Sequence, residues 1–144
     1  MGSSPVRERA HDPRDLVSRL VSREHTGDVE GMAALYEAGA VLDPGDGQLI
    51  RGREVIRTFY AAVVATGRKF DFGQAVIRGD LALTSHPLPD GTAEVARKQS
   101  GGTWLWAVDR FAIAEVASRS RRPPGGSQRS VLHSRGYQFP KTLR

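Results

Sequence analysis

The chain has 144 residues, 39% of them hydrophobic and 26% charged, and it contains no cysteine. This length suits one domain with a substantial core, and the composition is ordinary for a globular protein. The lack of cysteine excludes disulfides and cysteine-based zinc or redox sites. No apolar run approaches the roughly 20 residues that span a bilayer, and residues 1–4 do not resemble a signal peptide. We therefore expect a cytoplasmic protein with no membrane partner.

The net charge of +5 comes from the end of the chain. Residues 118–144 contain seven basic and no acidic residues, which leaves 14 basic and 16 acidic residues before them, a net charge of −2. A basic tail can touch phosphates, but no DNA- or RNA-binding motif accompanies it. The sequence therefore predicts a basic, disordered tail over 118–144 and no nucleic-acid partner.

Helices dominate the predicted first half of the chain. Residues 1–12 resemble a flexible leader, and Asp12 followed by Pro13 is typical of a helix start. Apolar residues at helical spacing carry this helix to about residue 25. A second, short helix begins at Asp28 and a third at Gly52. Two short strands are predicted between them, over residues 40–43 and 48–51.

After residue 67 the apolar pattern changes to two-residue alternation, which is typical of strands. Four strands are predicted, over residues 70–78, 81–87, 92–99 and 103–113. Hairpin-type turn sequences rich in glycine, aspartate and proline separate them. Helices followed by a sheet of neighbouring strands indicate an α+β domain, with predicted bounds 13–117.

Asp43 is the first candidate for chemistry. It lies where a predicted strand leaves the apolar interior, and a carboxylate there is costly to bury without a partner. The alternative is structural, because an aspartate before Pro44 also suits a turn.

Several short motifs together resemble the SnoaL-like and ketosteroid-isomerase-like branch of the nuclear-transport-factor-2-like superfamily. The resemblance covers residues 13 to about 115, and its motifs are Gly27-Asp28, Gly31, Ala34-Leu35-Tyr36, Asp43-Pro44, Gly52, Ile56-Arg57 and Phe59-Tyr60. It implies a curved antiparallel sheet wrapped as a cone-shaped barrel around three N-terminal helices, enclosing an apolar pocket. Many members dimerise through the sheet.

The resemblance also implies roles for individual residues. Asp43 falls where ketosteroid isomerases hold their general base, and Tyr36 and Tyr60 fall where some of them carry supporting tyrosines. The oxyanion-stabilising tyrosine would fall at Leu20, which cannot donate a hydrogen bond. That departure argues against true steroid isomerisation. Leu20, both tyrosines and Phe59 are expected to line the pocket.

A second acid is expected opposite the base, as in the ketosteroid isomerase logic of a base facing a neutral acid. Local sequence favours Asp109, whereas strand order favours Glu94, so both remain candidates. His86 is expected to project inward as a further catalytic candidate. Strand alternation places the pocket residues Thr84, Ala107 and Phe111 on the inner face and Trp104, Trp106 and Val108 on the outer face. Structural alternatives remain, namely ion pairing for the two acids and a strand-end hydrogen bond for His86.

Two classes of function follow. One is a small cofactor-free enzyme acting on an apolar small molecule, such as an isomerase, cyclase, dehydratase or epoxide hydrolase, with Asp43 as general base. The other is a non-catalytic ligand-binding or dimerisation module of the same fold. An apolar stripe containing Trp104 and Trp106 predicts a homodimer through the outer sheet face. No metal site is expected, because the four histidines (His11, His25, His86 and His133) show no ligand spacing.

Overall fold

The computed structural model describes residues 6–67, 69–87 and 91–112, which form an α+β domain with a curved, open sheet. The helices are α1 (Pro13–His25), α2 (Val29–Ala33) and α3 (Arg53–Ala65). The strands are β1 (Tyr36–Asp43), β2 (Ile50–Arg51), β3 (Gln74–Arg78), β4 (Leu81–Ser85), β5 (Thr92–Lys98) and β6 (Trp104–Phe111). The predicted α+β class and the cone-like arrangement are confirmed.

The starts of α1 and α2 follow ordinary capping chemistry. The Asp12 side chain accepts a hydrogen bond from the backbone N–H of Arg14, and Pro13 occupies the first turn. Asp28 caps α2 by accepting from the backbone N–H of Gly31. Between these helices Gly27 has φ 70°, a left-handed conformation that glycine adopts without strain.

The sheet has the strand order β2-β1-β6-β5-β4-β3. Four of its pairings are antiparallel, but β1 and β6 run parallel, so the antiparallel sheet expected from the resemblance is a mixed one. β1 is also longer than the predicted strand over 40–43, because it begins at Tyr36. These two features place the first and last strands of the domain side by side.

The expected outward orientation of Trp104 and Trp106 is wrong. Both side chains are buried in the core, 5% and 0% exposed. The cause is a β-bulge: Val95 pairs with Val108, but the next residue, Ala96, pairs with Trp106. Ala107 is therefore an extra residue, and one extra residue moves everything before it to the other face. The tryptophans cannot form the outer stripe on which the dimer was predicted.

The core lies between the helices and the inner face of the sheet. Apolar residues of α1 and α3 recur at helical spacing and pack against inner-face residues of the strands. The largest buried side chains among them are those of Trp106, Tyr36, Tyr60, Phe59, Phe70, Leu16, Leu20, Met32, Leu42 and Ile56. Rings in this set meet edge to face, with centroids 5.4 Å apart for Phe59 and Tyr60.

Residues 6–12, part of the predicted flexible leader, run along the domain. The Arg7 guanidinium donates two hydrogen bonds to the Asp28 carboxylate, at 2.9 and 2.8 Å. Ala10 is buried, and its carbonyl accepts from the backbone N–H of Trp104. The flexibility predicted for residues 1–12 stays a prediction.

The outer face of the sheet carries an exposed apolar row. Val76 pairs with Leu83, Leu83 with Val95, and Val95 with Val108. The four residues are between 37% and 70% exposed. We call Val76, Leu83, Val95 and Val108 the outer row.

The predicted disordered tail, residues 118–144, and the last predicted strand residue, 113, lie outside the described residues. Within the described ranges, no helix has the length and apolar character needed to cross a membrane.

Candidate functional site

The inner face holds a buried histidine–glutamate pair. His86 follows β4 and Glu94 lies in β5, and their side chains are 0% and 2% exposed. His86 Nδ1 lies 2.9 Å from Glu94 Oε1. Because a carboxylate oxygen accepts hydrogen bonds, Nδ1 carries a proton, and in the neutral imidazole Nε2 then carries the lone pair.

Two threonines also donate hydrogen bonds to the Glu94 carboxylate. Thr84 donates its hydroxyl to Oε2 at 2.7 Å, and Thr92 donates to Oε1 at 2.5 Å. The Thr84 oxygen in turn accepts from the indole N–H of Trp106 at 2.9 Å. With His86, the carboxylate thus accepts three hydrogen bonds, which is how buried charge is satisfied in an apolar interior.

Asp109 belongs to the same buried group of polar side chains. We call this group the cluster, and it consists of His86, Glu94, Thr84, Thr92, Asp109, Tyr36 and Tyr60. It is Glu94's cross-strand partner, and both residues are buried on the same face. Tyr36 donates its hydroxyl to Asp109 Oδ2, and the Tyr36 and Tyr60 hydroxyls lie 2.5 Å apart. Since the Tyr36 proton goes to Asp109, Tyr60 donates to Tyr36.

Burial raises the pKa of Asp109 well above its ordinary value, and the nearby Glu94 carboxylate raises it further. Burial likewise raises the pKa values of Tyr36 and Tyr60 well above the usual range, and Asp109 raises them further where it is ionised. The two tyrosines are therefore neutral near pH 7, and burial favours the neutral form of Asp109. A neutral Asp109 that accepts at Oδ2 carries its proton on Oδ1 and is a hydrogen-bond donor there.

Two polar atoms of the cluster have no hydrogen-bond partner among the described residues, namely His86 Nε2 and Asp109 Oδ1. Aromatic rings connect the two halves. The Trp106 ring centroid lies 6.1 Å from that of His86 and 5.3 Å from that of Tyr36, and the Phe70 ring lies 5.7 Å from His86. A base and a neutral donor therefore share an aromatic interior.

Asp43 is not part of this cluster. In the parallel pairing of β1 with β6, Leu42 pairs with Asp109 and Asp43 pairs with Arg110. Leu42 is buried with Asp109, so alternation directs Asp43 and Arg110 to the other side of the sheet. There the Arg110 guanidinium donates to Asp43 Oδ2, while Asp43 Oδ1 accepts from the backbone N–H of Gly45 at 2.9 Å. The structure therefore brings Glu94, Asp109 and His86 together but leaves Asp43 outside.

All seven residues expected in the pocket are buried: Leu20, Tyr36, Phe59, Tyr60, Thr84, Ala107 and Phe111. Tyr36, Tyr60 and Thr84 make polar contacts in the cluster. Phe59 and Phe111 pack against each other, and Ala107 is the bulge residue.

Sequence reasoning missed three residues that shape the site. Thr92 could have been found, because it lies two positions before Glu94 and shares its face. Trp106 was placed outside because the bulge has no sequence signal of its own. Arg53 was missed because its role is to bind a main-chain atom: its Nε and Nη2 donate to the Tyr36 carbonyl at 3.0 and 2.5 Å.

Gly73 holds the chain close to His86. A Cβ at this position would lie 1.4 Å from the Ser85 carbonyl oxygen, so only glycine allows the two segments to approach this closely. His86 follows directly on that segment.

A separate cleft of about 500 Å³ lies on the helical side of the domain, lined by Glu30, Ala33, Arg53, Glu54, Arg57 and Thr58. It contains none of the predicted site residues. No group of three potential metal-binding side chains occurs in the described parts of the chain.

The chain matches the family model of the SnoaL-like domain over residues 17–119. Because this match covers well over half of the 144 residues, the chain belongs to the SnoaL-like domain family. The nuclear-transport-factor-2-like fold of this family includes isomerases, cyclases and dehydratases. The resemblance inferred from the sequence is confirmed.

Several solved structures are similar in fold. An NTF2-like protein of unknown function from Pseudomonas putida is 18% identical, with a TM-score of 0.56 over 69% of this chain and 82% of that chain. An NTF2-like protein with a cystatin-like fold from Novosphingobium aromaticivorans is 16% identical, with a TM-score of 0.56 over 74% and 84%. The protein Aln2 from a Streptomyces species is 18% identical, with a TM-score of 0.55 over 74% and 91%. This likeness shows the fold alone, and no curated protein matches the chain.

Proposed function

We propose that this chain binds an uncharged, flat, apolar small molecule on the inner face of the sheet and catalyses proton transfer on it without a cofactor. The observation that carries the proposal is the pair of unpartnered polar atoms, His86 Nε2 and Asp109 Oδ1, in an aromatic interior. Buried polar groups normally have partners, and exceptions are concentrated where a ligand or a reaction supplies one.

The negative charge already present in the interior favours an uncharged ligand. The interior already contains the Glu94 carboxylate, which raises the pKa of its neighbour Asp109. An anionic ligand would add a second negative charge in a setting with low dielectric. A ligand with one oxygen can accept from Asp109 Oδ1 while its rings contact Trp106 and Phe70.

Binding of 2-naphthol, a flat molecule with a single hydroxyl, tests this proposal by quenching of tryptophan fluorescence or by calorimetry. We expect Asp109→Leu, which has no donor at this position, to weaken binding by about tenfold, the worth of one hydrogen bond, whereas Asp109→Asn keeps an N–H donor and should retain binding. Asp46→Asn, an exposed loop variant, should leave binding unchanged. Weaker binding in Asp43→Asn together with unchanged binding in Asp109→Leu would move the site to the outer side of the sheet.

One observation favours the alternative function, a non-catalytic ligand-binding module. Asp43, the predicted general base, is held by Arg110 and Gly45 away from the interior cluster. If 2-naphthol binds but the chain does not accelerate exchange of the acidic C–H hydrogens of the related ketone 2-tetralone in D₂O, the chain is a ligand-binding module.

We also propose a homodimer, now through the outer row rather than the tryptophans. Four apolar residues adjacent across four strands form a continuous exposed patch, and such patches are typical of interaction sites. The pairing partner proposed is the same face of a second copy, in keeping with two-fold symmetry. A cytoplasmic location stays an expectation.

Sedimentation equilibrium tests the dimer. Leu83→Arg places a charge in the middle of the outer row and should give a monomer. Val55→Arg changes a residue of equal exposure on α3, 50% against 51%, and should leave the dimer intact. A wild-type chain that is monomeric at high micromolar concentration would contradict the proposal.

A further inference from the structure

The cleft of about 500 Å³ between α2 and α3 contains no residue of the cluster. Its volume is in the range of small-molecule sites. We propose that this cleft binds a small zwitterion, namely an amino acid or a short peptide. One cationic and one anionic side chain at the start of α3 hold its two charges. This site goes beyond the function proposed above and does not depend on it.

The cleft lies on the face of α3 that points away from the core. The core face of this helix carries the buried residues Ile56, Phe59, Tyr60 and Val63. The cleft is lined from α3 by Arg53, Glu54, Arg57 and Thr58. Because a helix has 3.6 residues per turn, these two sets lie on different sides of it. A ligand in the cleft therefore does not enter the interior of the domain.

Two of the four charged side chains in the cleft are already paired. Arg57 Nε donates to Glu30 Oε1 at 2.5 Å, and this ion pair joins α3 to α2. Since these two charges balance each other, the remaining charges of the lining are those of Arg53 and Glu54.

The Arg53 guanidinium is held in place but has no negative partner. Its Nε and Nη2 donate to the Tyr36 carbonyl at 3.0 and 2.5 Å. A carbonyl oxygen fixes the orientation of a guanidinium without neutralising its charge. In the described part of the chain no carboxylate pairs with Arg53, and its Nη1 has no hydrogen-bond partner. An oriented guanidinium with free N–H groups is a good donor to a carboxylate.

Glu54 carries the complementary charge. It is exposed, and its carboxylate has no hydrogen-bond or ion-pair partner within the ranges that the structure describes. Consecutive residues of a helix are directed about 100° apart, so side chains at these positions do not face each other. Arg53 and Glu54 therefore line the same cleft without pairing with each other.

A ligand with one carboxylate and one ammonium group matches this arrangement. Its carboxylate accepts from Arg53 Nη1, and its ammonium group donates to the Glu54 carboxylate. The lining contains two guanidinium and two carboxylate groups, so its net charge is zero. A ligand with only one charge would leave one of the two unpaired side chains unmatched. Ala33 adds a methyl group to the lining, which suits a ligand with a small apolar side chain.

The probe is L-alanyl-L-alanine, because either of its charged ends can be removed chemically. An NMR titration of the ¹⁵N-labelled full chain near pH 7 measures binding and locates it, and we expect shifts at the backbone amides of Ala33 and Thr58. Acetylation of the amine and amidation of the carboxylate should each weaken binding by about fivefold, the upper worth of an exposed ion pair. Free L-alanine is titrated in parallel. Tighter binding of alanine would assign the cleft to amino acids, and tighter binding of the dipeptide would assign it to peptides.

Two variants assign the charges to residues. Glu54→Gln keeps the size of the side chain and should abolish the preference for the free amine, while the preference for the free carboxylate remains. Arg53→Gln should abolish the preference for the free carboxylate instead. Because Arg53 also bonds to the Tyr36 carbonyl, urea denaturation checks that this variant folds, whereas Glu54 has no such contact to lose. Asp46→Asn, an exposed loop variant, should behave as wild type.

Three results would overturn the proposal. The first is the absence of binding by both alanine and the dipeptide. The second is equal affinity for the free, acetylated and amidated dipeptides, or a preference for the free amine that persists in Glu54→Gln. The third is binding that shifts residues of the inner face and leaves Ala33 and Thr58 unchanged. None of them affects the binding of 2-naphthol, which is measured separately.

Discussion

The two faces of the sheet differ in the burial and in the hydrogen-bond partners of their acidic side chains. On the inner face, Glu94, Asp109 and His86 are buried at 1–2% exposure and bonded to hydroxyls or to one another. On the outer face, Asp43 pairs with an arginine while still partly exposed to water. Asp43 and Asp109 lie one position out of register on adjacent strands. A shift of one residue therefore decides whether an aspartate is partly exposed and paired with an arginine or is buried with a raised pKa.

The largest expected difference between the faces is in packing. Trp106→Ala removes a fully buried ring and the donor to Thr84, and we expect it to lower the free energy of unfolding by about 3–5 kcal/mol. Val108→Ala on the outer face should change it by only about 0.5 kcal/mol. Urea denaturation at a concentration where the chain is monomeric measures both. Equal costs would show that the face assignment is wrong.

The second difference is in the dependence of stability on pH. The pKa of Asp109 is raised on folding, so the folded chain retains this proton at pH values where the unfolded chain has lost it. As pH rises from the ordinary range of an aspartate toward the folded pKa, this group therefore lowers stability by up to about 1.4 kcal/mol per pH unit.

Asp109→Asn removes that dependence. The stability of this variant relative to wild type should increase with pH above the ordinary aspartate range, as measured by urea denaturation in a series of buffers. Asp43→Asn is the matched substitution on the outer face and controls for the loss of an aspartate side chain. Parallel pH curves for wild type and Asp109→Asn would mean that Asp109 is not neutral.

The smallest effect is expected for the ion pair between Asp43 and Arg110. Because both side chains are partly exposed, a double-mutant cycle with Asp43→Asn and Arg110→Gln should give a coupling energy of about 0.2–1 kcal/mol. The coupling should weaken in high salt. A coupling of several kcal/mol would mean that the pair is far less accessible to water than its partly exposed side chains indicate.

Much of the fold could be predicted from the sequence, because each element had its own local signal. Asp12 and Pro13 marked the start of α1, and hairpin-type turns separated the later strands. The face of the tryptophans could not be predicted, since alternation assumes an unbroken strand and Ala107 interrupts it. The partner of Asp43 could not be predicted either, because it depends on the parallel register of β1 with β6. For the acids of β5 and β6 alternation was sufficient, because both lie beyond the bulge on the same side.

The most direct measurement of the central claim is a crystal structure with 2-naphthol bound. We predict that the naphthol oxygen lies within hydrogen-bond distance of Asp109 Oδ1, about 2.5–3.0 Å, and that the naphthol rings contact Trp106 and Phe70. A naphthol bound beside Asp43 and Arg110, or in the cleft between α2 and α3, with the inner face unchanged, would contradict it.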